Sequence, residues 1–388
     1  MTAEERAFTA AAVPAVERRT REALEAVLSR LSEAAGEALA GVALGGALGL
    51  GEARTTVDAA GEFVAAAPLE LLAVLDLPPG KAATIAPRLR QELGATARSR
   101  HVTVRLDTAA SSALARHAPT LEAIACAAAG RVLLGPADLL APLAPFASAQ
   151  PPLAEALRLL VRRGGALLAA ERSLSRRSAP RAAVLAGQSA VRDADLALGA
   201  ALLVSAGRYR PTEAERAAEL RRLAAPAEGP TEPRGLHLRM TRTRFRDVVE
   251  RHREAFAAAG AVELPEGLAE ARTQLARASD RFLELLRLLE EERLGLPLPT
   301  WTEHVRALAA RHGAAGGPGL FGGREGDDLP ARRAVRDWPA PERLAPALAS
   351  LLDWDPGDLG VAPLLLDLPD GAAREALAAR LAALAAAV

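Results

Sequence analysis

The sequence predicts an α+β fold, with a small mixed sheet and helices over residues 1–150 and an all-α domain over residues 151–388. Short apolar strands alternate with helical segments up to about residue 150, whereas the later segments all have helical periodicity. Half of the residues are hydrophobic, but only 3% are aromatic. Much of the hydrophobic half is alanine, which has the highest intrinsic helix propensity. A length of 388 residues suits two or three domains.

The first domain is predicted to begin with an amphipathic helix over 14–40. Its predicted strands cover 40–44, 62–64, 69–75, 101–106 and 131–134. Further helices are predicted over 81–93 and, in two short pieces, within 109–129. The turn Pro78-Pro79-Gly80 ends the strand at 69–75, and Gly94 is expected to end the helix at 81–93.

The second domain is predicted to consist of helices separated by segments rich in proline and glycine. They cover 152–171, 187–206, 212–224, 241–259, 266–293, 302–312, 340–352 and 371–387. The long helix at 266–293 has an apolar stripe, which suits packing inside the chain or against a partner. The stripe comprises Leu275, Phe282, Leu283, Leu286 and Leu289. Residues 313–330 contain seven glycines and two prolines and are expected to form a mobile loop.

Composition excludes several classes of protein. The 48 basic and 48 acidic residues balance, so no broad nucleic-acid surface is expected. The single cysteine, Cys126, permits no intrachain disulfide or thiolate cluster and is expected to be buried and inert. The histidines have no HxH or HExxH spacing, so they predict no metal site. No signal peptide and no membrane span is apparent, which predicts a cytoplasmic protein.

A glycine-rich turn, Gly45–Gly51, directly follows the first strand, and Glu70 lies on a later one. This order resembles the opening of the DNA polymerase β-like nucleotidyltransferase superfamily, particularly its minimal bacterial members. Residues 129–135 resemble the segment that closes this domain in several bacterial relatives. The family pattern is a strand ending in Gly-Ser, a further glycine, a strand bearing Asp-x-Asp, and a third acid on a later strand. The resemblance implies triphosphate binding at the turn and two Mg²⁺ ions held by the acids.

The backbone of the turn follows the family pattern, but its side chains do not. Gly46 falls on the motif glycine, and Gly49 and Gly51 continue the turn. With Gly45, these glycines are the candidate nucleotide-binding residues. Ala47 stands where the family has a serine hydroxyl. Leu50 replaces the usual arginine.

The acid positions depart further from the family. Pro68 replaces the first Asp of Asp-x-Asp, and Glu70 replaces the second. Thr103 or Arg105 occupies the place of the third acid. Asp107 lies on the same face of its strand as these two, about 13 Å from Thr103 at the usual rise per residue. No metal site is expected, and the only candidates for one are Glu70 and Asp107.

These losses predict a catalytically inactive nucleotidyltransferase-fold protein that acts as a binding, scaffold or regulatory protein. A protein partner or a homo-oligomer is expected to form through the helical domain, and nucleotide binding stays open. One alternative is an active, Mg²⁺-dependent nucleotidyltransferase that uses Glu70 with Asp76 or Asp107. Another is an α-rich interaction protein unrelated to nucleotides, in which the glycines form an ordinary strand-to-helix turn and Glu70 is simply solvated.

Overall fold

A computed structural model describes most of the chain and contains one mixed four-stranded sheet among many helices. The fold is therefore α+β, as predicted. The described residues divide into two compact units, one within 1–151 and 210–215, the other within 152–209 and 216–388. The described ranges are 7–57, 62–116, 119–225, 242–260, 267–312, 335, 337–353, 362–368 and 372–387.

The first unit contains helices on a small sheet. Its helices are α1 Pro14–Ala35, α2 Gly46–Leu50, α3 Pro79–Ser99 and α4 Leu121–Ala129. Its strands are β1 Leu39–Leu44, β2 Thr55–Val57, β3 Phe63–Ala65, β4 Leu69–Leu75, β5 Val104–Ala110 and β6 Arg131–Leu134. Short 3-10 helices cover Gly36–Ala38, Ser111–Arg116 and Ala141–Ser148.

The main sheet has the strand order β5-β4-β1-β6. β1 pairs antiparallel with both β4 and β6, whereas β4 and β5 are parallel. Parallel neighbours need a crossover connection, and α3 forms it here. β2 and β3 form a separate two-stranded antiparallel sheet.

The alternation of β4 gives the sheet two different faces. Leu71 and Leu75 point to the larger core, which also contains Leu31 of α1 and Leu89 of α3. Glu70 points to the opposite face, two residues from Leu72. That face is covered at its far end by a smaller cluster that includes Val74, Leu114 and Cys126. Burial of one set of side chains therefore leaves Glu70 on the less covered face.

Several predicted element ends are wrong. The first helix ends at Ala35 instead of 40, because Gly36 takes a left-handed φ of 57° there. Gly94 does not end α3, which continues to Ser99 with Ala97 still buried. The strand predicted over 101–106 lies at Val104–Ala110, so Asp107 is in its middle and not near its end.

From residue 153 onward, the described elements are all helices apart from turns. They are α5 Leu153–Leu174, α6 Arg181–Ser205, α7 Glu213–Ala224, α8 Arg242–Gly260, α9 Leu268–Leu294, α10 Trp301–Arg311, α11 Ala340–Asp353, α12 Ala362–Leu366 and α13 Arg374–Ala387. Each predicted helix has a counterpart, and among the helices in the described ranges from residue 153 onward only the short α12 was not predicted. The loop predicted at 313–330 lies outside the described residues.

The apolar stripe of α9 packs inside the second unit. Its members Leu275, Phe282, Leu286 and Leu289 are buried, and Leu283 is half-buried. Phe282 lies against α5 at Gly164, where a Cβ atom would come within 2.7 Å of the Phe282 ring and 2.3 Å of Leu348. The absence of a side chain at this glycine allows α5, α9 and α11 to approach closely. The stripe is thus used for internal packing.

Several polar side chains are buried among these helices. Arg281 donates two hydrogen bonds of 2.8 Å to the carboxylate of Asp195. His304 lies 2.7 Å from the buried carboxylate of Glu290, which explains this histidine as a structural residue. His252 is 1% exposed, and neither ring nitrogen has a hydrogen-bond partner among the described residues. Burial, together with nearby arginine charge, lowers the pKa of His252 to about 3.

Substitution of Gly164 tests the close approach of the helices. Gly164→Ala should destabilise the protein by ~1–3 kcal/mol, because Phe282 and Leu348 are fully buried and have no room to withdraw. Gly94→Ala is the matched control, since a Cβ at this helical glycine meets only the Arg98 side chain at 3.6 Å. It should stabilise by ~0.5–1 kcal/mol. Urea unfolding followed by circular dichroism measures both, and equal effects would contradict the packing.

His252 should make the second unit sensitive to acid. The unfolded histidine binds a proton near pH 6.5, whereas the folded one does so only near pH 3. Stability is therefore present above pH 6.5 and falls as the pH drops below it, by about 1.4 kcal/mol per pH unit. The free energy of unfolding of His252→Leu relative to the wild type should rise by about 2 kcal/mol from pH 8 to pH 5, because the variant lacks this acid-dependent loss. A pH-independent difference would show that His252 does not titrate in this way.

Candidate functional site

The glycine turn contains all of α2, and its backbone is hydrogen-bonded to β4, the strand that carries Glu70. Gly45 donates its N–H to the carbonyl oxygen of Glu70 at 2.8 Å. Gly46 has a left-handed φ of 59°, and a Cβ there would lie 2.2 Å from Glu70 Oε2. Only glycine suits this position, because both the dihedral angle and the space exclude a side chain. The Glu70 carboxylate thus lies directly against the motif glycine.

The far end of α2 is equally constrained. Gly51 ends the helix with a φ of 75°, and a Cβ on Gly49 would come within 2.4 Å of the Leu44 carbonyl oxygen. Arg131 of β6 donates its Nε–H to the carbonyl oxygen of Gly49 at 3.0 Å. Its guanidinium lies 4.9 Å from the centre of the Phe8 ring. This buried arginine belongs to the closing segment, and no sequence pattern indicates that it contacts the turn.

The side chains of the turn have no polar group for a phosphate at the two substituted positions. Ala47 has a methyl group in place of the hydroxyl, and Leu50 is buried. The carbonyl oxygen of Ala47 accepts hydrogen bonds from Glu52 at 2.8 Å and Ala53 at 3.1 Å. The backbone of the turn therefore serves the local fold.

The strand register places Glu70 beside Arg105. Arg105 Nη1 lies 3.1 Å from Glu70 Oε1, and the two side chains are 35% and 23% exposed. Thr103 precedes β5, and its carbonyl oxygen accepts the Leu69 N–H at 2.8 Å. Of the two residues expected at the third acid position, Arg105 is thus the one paired in register with Glu70. A cation stands beside the only acid that remains of the motif.

Asp107 and Asp76 lie at different distances from this pair. Asp107 is exposed on the same face as Arg105, opposite Leu72 in the register. Strand spacing and rise put its Cα about 8 Å from that of Glu70. Asp76 follows the other end of β4, roughly 20 Å along the strand from Glu70, where it accepts a hydrogen bond from Ser111. The structure therefore does not bring Asp76 to Glu70.

Cys126 of α4 lies beneath the turn. A Cβ on Gly45 would come within 2.7 Å of the Cys126 sulfur. Burial, reinforced by the negative charges of Glu70 and Asp107, raises the pKa of this thiol to about 12. The thiol is protonated at neutral pH and is a poor nucleophile. The prediction of a buried cysteine is confirmed, and its contact with the turn is a new finding.

The first unit contains a cavity, whereas the described residues form no cluster of metal ligands. Across the described ranges, no group of three or more His, Cys, Asp or Glu side chains is arranged to hold a metal ion. A cavity of about 340 Å³ lies in the first unit, and its lining includes Pro68, Thr103 and Arg105. Three of the predicted site residues therefore share one cavity, whereas the four glycines do not line it.

Comparison with protein-family models, curated proteins and solved structures gives no match. The resemblance to nucleotidyltransferases thus depends on the sequence motifs quoted above. Within the described part of the chain, no helix is both long enough and apolar enough to cross a membrane.

Gly46→Ala should lower the free energy of unfolding by ~1–3 kcal/mol, because the backbone is left-handed and the new methyl group meets Glu70. The double variant Gly46→Ala/Glu70→Ala should recover the steric part of this loss. Gly80→Ala is the control, since a Cβ there has no neighbour within 4 Å. Thermal and urea unfolding report all three. Absence of any recovery in the double variant would show that the Glu70 side chain does not press on Gly46.

Proposed function

We propose that this protein has a nucleotidyltransferase-like domain that no longer transfers nucleotides and now acts by binding, as a scaffold or regulatory protein. The proposal combines the sequence resemblance with the arrangement of charged groups on β4 and β5. The single observation that carries it is the ion pair between Glu70 and Arg105.

Two-metal nucleotidyl transfer needs several carboxylates on neighbouring strands, because they offset the charge of the metal ions and the phosphates. Here the two strands are neighbours, but the paired positions hold one carboxylate and one guanidinium. Arg105 neutralises Glu70 and repels a dication at the same point. Arg105, which is permanently charged, therefore occupies the position at which the nucleotidyltransferases that this sequence resembles have a carboxylate that binds Mg²⁺.

The other departures add to this loss. Pro68 supplies no carboxylate at the first acid position, and Ala47 supplies no hydroxyl to a phosphate. The Glu70 carboxylate also presses against Gly46, so an anionic group already lies at the start of the turn. A triphosphate that approached this glycine would meet like charge.

The second candidate function is an active nucleotidyltransferase with displaced acids. Asp107 favours it, since this carboxylate is exposed on the same sheet face as Glu70. Arg105 stands between the two along that face and opposes a shared metal ion. Mg²⁺ is required only under this alternative.

An α-rich interaction protein without nucleotide ancestry is the third reading. A first domain without a mixed sheet would have favoured it, and the mixed sheet of order β5-β4-β1-β6 removes that argument. The proposed binding role includes a protein partner or a second copy at the helical domain. The apolar stripe of α9 is not the contact for such a partner, because it is buried within the second unit.

Incubation with labelled nucleoside triphosphates and Mg²⁺ or Mn²⁺ tests the loss of transfer. We expect no transfer of labelled nucleotide to the protein or to small acceptors. Hydrolysis of the triphosphates should not exceed the level measured without protein. A parallel thermal-shift panel should show no Mg²⁺-dependent rise in Tm with ATP, since a ligand that binds the native state raises Tm by linkage.

Glu70→Ala and Asp107→Ala are the matched variants for this assay. Transfer by the wild type that either substitution abolishes would establish the active alternative and refute the proposal. A rise in Tm that appears without Mg²⁺ and without transfer would fit a retained binding function.

A further inference from the structure

We propose that the cavity beside Pro68 binds a small phosphate ester with an apolar body, without a metal ion. The inference rests on the proposed binding role and names a ligand class for it. The four candidate nucleotide-binding glycines do not line this cavity, although Leu48 from the same turn does.

The cavity is lined mainly by three parts of the first unit. α1 contributes Val16, Arg19 and Thr20, and residues 64–69 contribute a second wall. The third wall is the connection from α3 into β5, residues 100–105. A volume of about 340 Å³ is near the lower end of the range for small-molecule sites.

The side chains around the cavity give it a cationic rim. Arg19, Arg100, His101 and Arg105 belong to the lining, and none of the described lining residues is an aspartate or glutamate. Arg19 and Arg105 pair with carboxylates outside the lining. No described residue pairs with the guanidinium of Arg100 or with the imidazole of His101. These two groups are therefore available to an anion.

His101 is held at the rim by an unusual helix end. It has a φ of 53°, and the Val102 N–H donates across it to the Ala97 carbonyl oxygen at 3.0 Å. This is the Schellman ending, in which glycine is the usual residue at the left-handed position. α2 and α9 have Gly51 and Gly295 in the left-handed conformation at their C-terminal ends. A histidine here strains the backbone slightly but places an imidazole beside Arg100.

The floor of the cavity is apolar. Leu48 and Leu69 are buried, and Val64 and Val102 are half-buried beside them. An apolar floor beneath a cationic rim fits an oxyanion attached to a small hydrocarbon or aromatic group. The Arg100 guanidinium and the His101 imidazole both offer N–H donors, which suit the three terminal oxygens of a phosphate monoester better than the two oxygens of a carboxylate.

Calorimetric titration with phenyl phosphate in buffer containing EDTA tests this site in the full-length protein. Phenyl phosphate should bind saturably and at least about tenfold more tightly than inorganic phosphate, because its ring buries apolar surface on the floor. Benzoate should bind more weakly than phenyl phosphate. Absence of saturable binding, or equal affinity for benzoate, would overturn the assignment.

Variants separate binding from folding. Arg100→Gln should weaken phenyl phosphate binding about tenfold or more, whereas Arg98→Gln should not, since Arg98 is exposed on α3 outside the lining. His101→Gly should also weaken binding but leave Tm equal or higher, because glycine suits the left-handed backbone. Equal losses in Arg98→Gln and Arg100→Gln would indicate non-specific attraction and refute the site.

The two proposals fail in different ways. Nucleotide transfer in the earlier assay would refute the inactive-enzyme proposal. The cavity would still be tested separately, by the affinity of Arg100→Gln for phenyl phosphate in the presence of EDTA. Failure of phenyl phosphate to bind would refute only the cavity assignment.

Discussion

The parallel pairing of β4 with β5 determines which charged groups lie together on the less covered face of this sheet. Leu71 pairs with Leu106 in the register, and both contribute to the larger core. The same register sets Glu70 against Arg105 on the opposite face. A slip of one residue would turn the buried leucines outward, so the core holds the register in place. The ion pair at the candidate site is therefore a consequence of the packing beneath it.

The glycine turn shows how a motif can persist for structural reasons. Gly46 accommodates the Glu70 carboxylate, Gly49 lies against the Leu44 carbonyl group, and Arg131 hydrogen-bonds the end of the short helix. Each glycine at these points is required by a neighbour within the chain. A glycine-rich turn after a strand is thus explained without a phosphate. The chemistry of such a turn depends on the side chains around it.

The arginines of the first unit have different surroundings despite a balanced composition. Arg131 is buried and bonds to backbone carbonyl groups, and Arg105 is paired with Glu70. Arg100 lies exposed at the rim of a cavity that has no acidic lining residue among those described. Equal numbers of acidic and basic residues exclude a broad charged surface, but they average over local differences of this size. Only the positions of the side chains reveal a cationic rim.

Local patterns in the sequence determined the helices after residue 152, the strand at 69–75 and the glycine turn, because periodicity and glycine or proline signals act over a few neighbours. They failed at Gly94, which lies inside a helix because Ala97 continues the buried face beyond it. The tertiary structure alone decided that Arg105, and not Thr103, stands beside Glu70. It also placed Cys126 beneath the turn and assembled the cavity from α1, residues 64–69 and the end of α3. These contacts join residues far apart in the chain, and their register depends on how the whole core packs.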